Sequence, residues 1–232
     1  MSKVIKNIFL FVGITMVFWH CSETKDLDPE ILGSNFFPLK TGTYKVYQVH
    51  GIRYNSFIDS TEFEYLLKES VLDSFQNLEF GISFKIQRLK KYNDNDPWVI
   101  DSIWTARKDD RTAIMVENNV PIVNLTFPLK ENKTWDGNKL NGNSEDEFQM
   151  INVNKQYADS FGSYENTVTV IQEDLADIIV RTISKKEIYS ENTGLVYKEN
   201  IILNYKQDEF IGLGIIDNGL KYFQHLVEYG EE

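Results

Sequence analysis

The chain has 232 residues, 42% of them hydrophobic, 25% charged and 13% aromatic, with a net charge of −11. A chain of this length hides roughly 70% of its unfolded surface on folding, enough for one core without a metal or disulfide. Thirteen Gly and five Pro exclude collagen-like and Pro-rich classes, and the acidic balance, relieved only by short pairs such as Lys90-Lys91 and Lys185-Lys186, argues against a nucleic-acid partner.

Residues Met1 to Asn7 carry Lys3 and Lys6 and no acid, and a twelve-residue apolar run, Ile8 to Trp19, leads to His20 and Cys21. A basic lead followed by an apolar run of about 7 to 15 residues is the plan of a secretory signal peptide. The run falls short of the ~20 residues that a membrane-spanning helix needs. Cys21 is the only cysteine and stands where the run stops. Here the chain resembles bacterial lipoprotein precursors, although Phe18-Trp19-His20 stands where that pattern has a Leu-like residue and then a small one. The resemblance implies cleavage before Cys21 and acylation of its thiol, and two or three acyl chains hold a protein on a membrane stably. Cleavage removes Lys3 and Lys6, so the net charge falls from −11 to −13. Ser22 to Asp28 is polar and acidic, similar to the export tethers of Bacteroidota surface lipoproteins.

From residue 43 onward the periodicity is two. Tyr44 to His50 reads as a strand. Phe63 to Phe75 also aligns as a strand on Phe63, Tyr65, Leu67 and Val71, though a helix would align Phe63, Leu66, Leu67, Ser70 and Val71. Phe80, Ile82, Phe84 and Ile86 alternate with polar residues, and Trp98, Ile100, Ser102 and Trp104 share one face of the next strand. Between them Asn93 to Pro97 reads as a turn, and Asp136-Gly137 with Asn141-Gly142 marks a long polar loop. Tyr164 to Ile171 and Ile178 to Tyr189 are strand-like, with a short helix as an alternative around Glu173 to Asp177. Ser190 to Gly194 is a hairpin loop. In the strand that follows, Leu195, Tyr197, Ile201, Leu203 and Tyr205 fall on one face with Glu199 as the exception, opposite Lys198, Asn200, Asn204 and Lys206. Leu220 to Tyr229 is the last strand. Short loops between consecutive strands give an all-β fold. The expectation is a single antiparallel meander sheet, strongly curved or a partly closed barrel, with one face on the core and one wet. The division expected is 1–21 signal, 22–35 tether and 36–232 a single domain.

Phe37-Pro38-Leu39-Lys40 is echoed by Phe127-Pro128-Leu129-Lys130. In each case Pro enforces an extended approach and an aromatic follows a polar turn, at Tyr44 and Trp135. Phe37 to Tyr44, Phe127 to Asn138 and the late Gly194-Leu195-Val196-Tyr197 together resemble Bacteroidota envelope lipoproteins of unknown function. That resemblance implies a β-rich envelope lipoprotein and brings no catalytic residues with it.

Chemistry is sparse. Beyond His20, only His50 and His225 occur, and two isolated histidines without a second cysteine do not make a zinc set. There is no Gly-x-Ser-x-Gly elbow, phosphate-binding loop or His-Glu-x-x-His, and Gly212-Leu213-Gly214 is too short for a dinucleotide fingerprint. A calcium loop counted from Asp136 through Asn138 to Glu147 fails at Leu140 and Asn141, and Asp94 with Asp96 lacks the rest of the pattern. Glu199, the lone charge on an apolar face, is the acid singled out. It is either bonded to a partner or placed in a pocket, where burial would raise its pKa. No cofactor or metal is expected. The reading is a lipid-anchored, non-enzymatic binding or accessory module of the cell envelope, exported to the outer membrane and facing the periplasm or the surface. Its alternatives are a carrier with a cavity for a lipid or other apolar ligand, and an envelope hydrolase of glycans or peptides. Partners are then the membrane through Cys21 and either an envelope protein or an apolar ligand.

Overall fold

A computed structural model describes residues 29–232 except 57, 79, 80 and 178. Cys21 and the signal peptide therefore lie outside the described residues. The chain opens with one helical turn, α1 (Pro29–Leu32), and a 3-10 turn, Ser34–Phe36. Among the described residues twelve strands follow. The first six are β1 (Thr43–Asn55), β2 (Ile58–Gln76), β3 (Ile82–Lys91), β4 (Val99–Lys108), β5 (Thr112–Glu117) and β6 (Val120–Thr126). The second six are β7 (Thr134–Asp136), β8 (Glu147–Ala158), β9 (Ser163–Asp177), β10 (Arg181–Ser190), β11 (Gly194–Tyr205) and β12 (Ile216–Glu231).

All twelve belong to one antiparallel sheet in the order β6-β5-β4-β3-β2-β1-β12-β11-β10-β9-β8-β7. The sequence is a meander except at one place, where the first and last strands meet in the middle, Thr43 opposite Glu231 and Tyr54 opposite Gly219. Its two edges, β6 and β7, come back together. The Val123 amide donates to the Gly137 carbonyl at 3.0 Å, the Trp135 indole N–H to the Val123 carbonyl at 2.7 Å, and the Asn141 amide to the Pro121 carbonyl at 2.8 Å. The sheet is thus nearly closed into a barrel, with one seam that has no continuous ladder.

Local chemistry explains the turns and bends. Asn118 and Asn119 both take positive φ between β5 and β6, the geometry that a two-residue hairpin turn demands. Asn152 and Asn154 do the same inside β8, where the register with β9 slips between Ile151 and Lys155. Glu131 accepts hydrogen bonds from the freed Asn152 and Val153 amides at 3.1 and 2.9 Å. Such a break bends the strand. At Gly51, β1 passes so close to the Lys221 carbonyl that any Cβ would collide with it. A side chain there would force β1 and β12 apart.

The two Phe-Pro-Leu-Lys segments converge. Phe37 and Phe127 are both buried in one cluster with Leu32, Leu125, Phe148 and Met150, and Leu39 and Leu129 pack against it. They fill part of the barrel between β3–β6 and β8–β10. A second cluster, built on Tyr47, Val49, Leu67, Val196 and Leu226, ties the central strands together.

Two expectations change. Glu173 to Asp177 is not a helix but the end of β9, paired through Leu175 with Ile183 and Asp174 with Ser184. The ladder with β10 overrides any local helical preference. The stretch expected to be the end of the tether, 29–35, is structured. Leu32 is in the core, and Asn35 hydrogen-bonds Glu191 at 2.9 Å, so the folded domain includes residues from Leu32 onward. Phe63 to Phe75 lies within the 19-residue β2, as the strand alignment expects.

Candidate functional site

The barrel is not solid. Between its apolar clusters lies a hollow of about 600 Å³. Its wall is made by alternate residues of neighbouring strands: Lys45 and Tyr47 of β1, Glu69 and Val71 of β2, Ile86 and Arg88 of β3. On the other side of β1 the wall continues through Tyr222 and Gln224 of β12 and Lys198 and Asn200 of β11 to Glu187 of β10. Lys40 and Glu231, both about two-thirds exposed and paired at 2.6 Å, mark the rim.

Ion pairs inside this wall are close to complete. Glu69 accepts from the Arg88 Nε at 2.9 Å, and the same guanidinium lies 3.7 Å above the Trp104 ring. Lys198 sits 2.8 Å from Glu187 and 3.6 Å from Glu117. Lys90 pairs with Asp101 at 2.7 Å and lies over the Tyr65 ring. Glu187 is only 1% exposed and also accepts from the Tyr189 hydroxyl and, at 3.3 Å, from the Asn124 amide. Burial alone would raise its pKa, but the Lys198 charge and these donors outweigh burial and hold it below the usual carboxylate range. The same pair pushes Lys198 above the ordinary lysine value although burial works against it.

Lys45 is different. Among the described residues no side chain hydrogen-bonds to it and no carboxylate lies within ion-pair distance. Its Nζ rests against the backbone of Gly194, where a Cβ would come within 2.6 Å. Lys45 is half-buried, and part of its side chain borders the hollow. Burial brings its pKa down to about 8, with the Glu69 charge acting the other way.

Glu199 lies elsewhere. Its neighbours Lys198 and Asn200 line the hollow, so Glu199 points to the opposite face of β11. There it accepts from the Ser184 and Tyr197 hydroxyls, each at 2.7 Å, and pairs with Lys186 at 3.1 Å. Burial pushes its carboxyl up, but these three donors outweigh that and lower it, so it is a partner-bonded carboxylate. The outer face is covered by the far part of the β8–β9 hairpin. Tyr157 lies tilted 5.8 Å from the Tyr197 ring, Phe161 lies 4.5 Å from the His225 ring, and Asp159 meets the His225 Nδ1 at 2.8 Å. His50 stacks on His225 in turn, at 5.4 Å.

The acidic loops are tied internally. Asp136 accepts from the Asn138 and Asp146 amides at 2.9 and 3.0 Å, and Asp96 from the Asn93 amide at 3.1 Å. Among the described residues no group of three or more His, Cys, Asp or Glu converges as metal ligands would.

No family and no curated protein matches this chain. Two solved structures are similar to it. One is a candidate exported protein with a YmcC-like fold from Bacteroides fragilis, 12% identical, with a TM-score of 0.45 over 84% of this chain and 99% of that one. The other is a candidate lipoprotein from Parabacteroides distasonis, 14% identical, with a TM-score of 0.39 over 84% of this chain and 98% of that one.

The lumen residues left a trace in the sequence that alternation alone does not decode. Glu69 occupies the skipped position in the run Phe63, Tyr65, Leu67, Val71, and Arg88 continues the run Phe84, Ile86. Glu199 interrupts its own run in the same manner but on the outward face. A charge within an apolar alternation marks a burdened position without saying on which side of the sheet it lies.

Proposed function

We propose that this protein is a lipid-anchored binding module of the bacterial cell envelope that holds a small ligand in the lumen of its barrel and acts by binding rather than catalysis. The observation that carries the reading is the hollow of about 600 Å³, within the roughly 300–1,000 Å³ typical of small-molecule sites. Its wall combines aromatic and aliphatic surface with a few fixed polar groups, the usual composition of such sites. A filled barrel would instead favour a protein that works only through its surface. The envelope location rests on the signal-like N-terminus and Cys21.

Both twelve-strand sheet and core clusters lie within residues 29–232, so a segment 22–232 retains the whole fold. Organic extraction of that purified segment, followed by mass spectrometry, is expected to release a stoichiometric small molecule. Repeated absence of any such molecule, together with no binding in a screen of amphiphiles, would overturn the lumen reading. For the anchor, radiolabelled palmitate should enter the full chain and not Cys21→Ser; equal labelling of both, or of neither, contradicts it.

A further inference from the structure

Resting on that lumen reading, we infer that the ligand is a small organic anion whose carboxylate-type head is received by Lys45 and whose apolar, ring-bearing body lies against the aromatic wall. The cations of the hollow are almost all paired. Arg88 is committed to Glu69, Lys198 to Glu187 and Glu117, Lys90 to Asp101, and Lys40 to Glu231. Lys45 is the one lining cation left over among the described residues, whereas every lining carboxylate lies within ion-pair distance of a cation, Glu117 and Glu187 sharing Lys198. A half-buried ammonium without a partner gives up part of its hydration with nothing in return, and an anion entering the hollow supplies the missing partner.

The position suits a receiving group. Lys45 follows the exposed rim residue Lys40 and half-buried Thr43 along the chain, and its Nζ is backed by Gly194, where any side chain would displace it. Tyr47 is held in place beside it, its hydroxyl donating to the Leu195 carbonyl at 3.2 Å. The body of the ligand is read from the rest of the wall. Tyr65, Trp104, Tyr189 and Tyr222 present rings, and rings favour offset or edge-on contact with other rings. The lowered pKa of Lys45 fits this reading, because a bound anion reverses the cost that burial imposes.

The test uses three probes with one ring system and different heads: naphthoate, naphthol and naphthylmethylammonium. Calorimetric titration of segment 22–232 near pH 7 is expected to give naphthoate the tightest binding, by about ten- to hundred-fold, the range of a charge-assisted hydrogen bond. Lys45→Gln is expected to abolish that preference while naphthol still binds, which also establishes that the variant is folded and its lumen open. At pH 8.5 naphthoate binding to the wild type should take up a fraction of a proton, and binding to Lys45→Gln should take up none. Equal affinity for the three heads, or a preference that survives Lys45→Gln, overturns the inference and leaves the lumen reading standing. Failure of every probe to bind the wild type also overturns the ligand class. The lumen reading itself falls only if extraction and the wider amphiphile screen are negative as well.

Discussion

Burial holds the Lys45 ammonium at about pH 8, against an ordinary value of 10.5, so at neutral pH this residue stays charged at the expense of the fold. Between those two values the unfolded chain carries the extra proton, and stability therefore rises with pH through that window. The other titratable groups on the adjoining wall are Glu69 on β2, Tyr47 on β1 itself and Tyr229 and Glu231 on β12, of which Glu69 works to keep Lys45 charged. With the hollow empty, Lys45→Met is expected to raise stability at pH 7 by about 1–2 kcal/mol, the side chain being half-buried, and the gain should vanish by about pH 10. Urea unfolding at the two pH values measures it, and a Lys45→Met variant less stable than wild type at pH 7 contradicts the placement. The Glu187–Lys198 pair behaves in the opposite way. Lys198→Ala leaves a carboxylate that is 1% exposed without its main partner and should cost about 3 kcal/mol. Because Glu187 is held below 4.5, the wild-type pair contributes stability above that pH and loses it as the pH falls further. A cost under about 1 kcal/mol for Lys198→Ala would show that Glu187 finds other support.

At the scale of elements, the β8–β9 hairpin decides which faces are dry. Left-handed Asn152 and Asn154 break its ladder, and beyond that break the hairpin lays Tyr157, Phe161 and Tyr164 near Tyr197 and His225. Asp159 fastens the tip, accepting from the Phe161 and Gly162 amides and the Tyr157 hydroxyl as well as meeting His225. Asp159→Ala should loosen residues 158–163, seen as faster amide exchange there, at a cost of about 1–3 kcal/mol; unchanged exchange at the tip contradicts its role as the fastener. This covering explains what the sequence reveals and what it hides. Strand positions are legible because Val, Ile, Thr and aromatic residues alternate between turn residues, and β2, β11 and β12 stand where period two puts them. The inside of the barrel is not legible on β11, because both of its faces are enclosed. Tyr197 and Glu199 face the hairpin while Lys198 and Asn200 face the lumen, so the more polar set points inward. Nor does one strand disclose that Glu69, Arg88, Glu187 and Lys198, from four different strands, meet across a shared hollow.

For the whole molecule, the decisive feature is the position of β12. It lies between β1 and β11 and, among the described residues, carries the strand ladder that joins the half-sheets β1–β6 and β7–β11, which otherwise meet at the sparsely bonded β6–β7 seam and through side chains in the core. A chain ending at residue 215 should therefore show no cooperative unfolding transition, whereas loss of one seam bond, as in Trp135→Phe, should cost only about 1 kcal/mol. Circular dichroism melts distinguish these, and a cooperative transition in the truncated chain contradicts the closure. The closed sheet creates the lumen, and the claim that the lumen receives a ligand admits a direct test. Native mass spectrometry of segment 22–232 incubated with naphthoate should be compared with Leu220→Trp, which places an indole into the wall of the hollow. A one-to-one adduct is expected on the wild type and is lost from the filled variant, which keeps its folded charge-state distribution. Adducts of equal abundance on both proteins would contradict the lumen as the binding site, and no adduct on either would contradict an aromatic anion as its ligand.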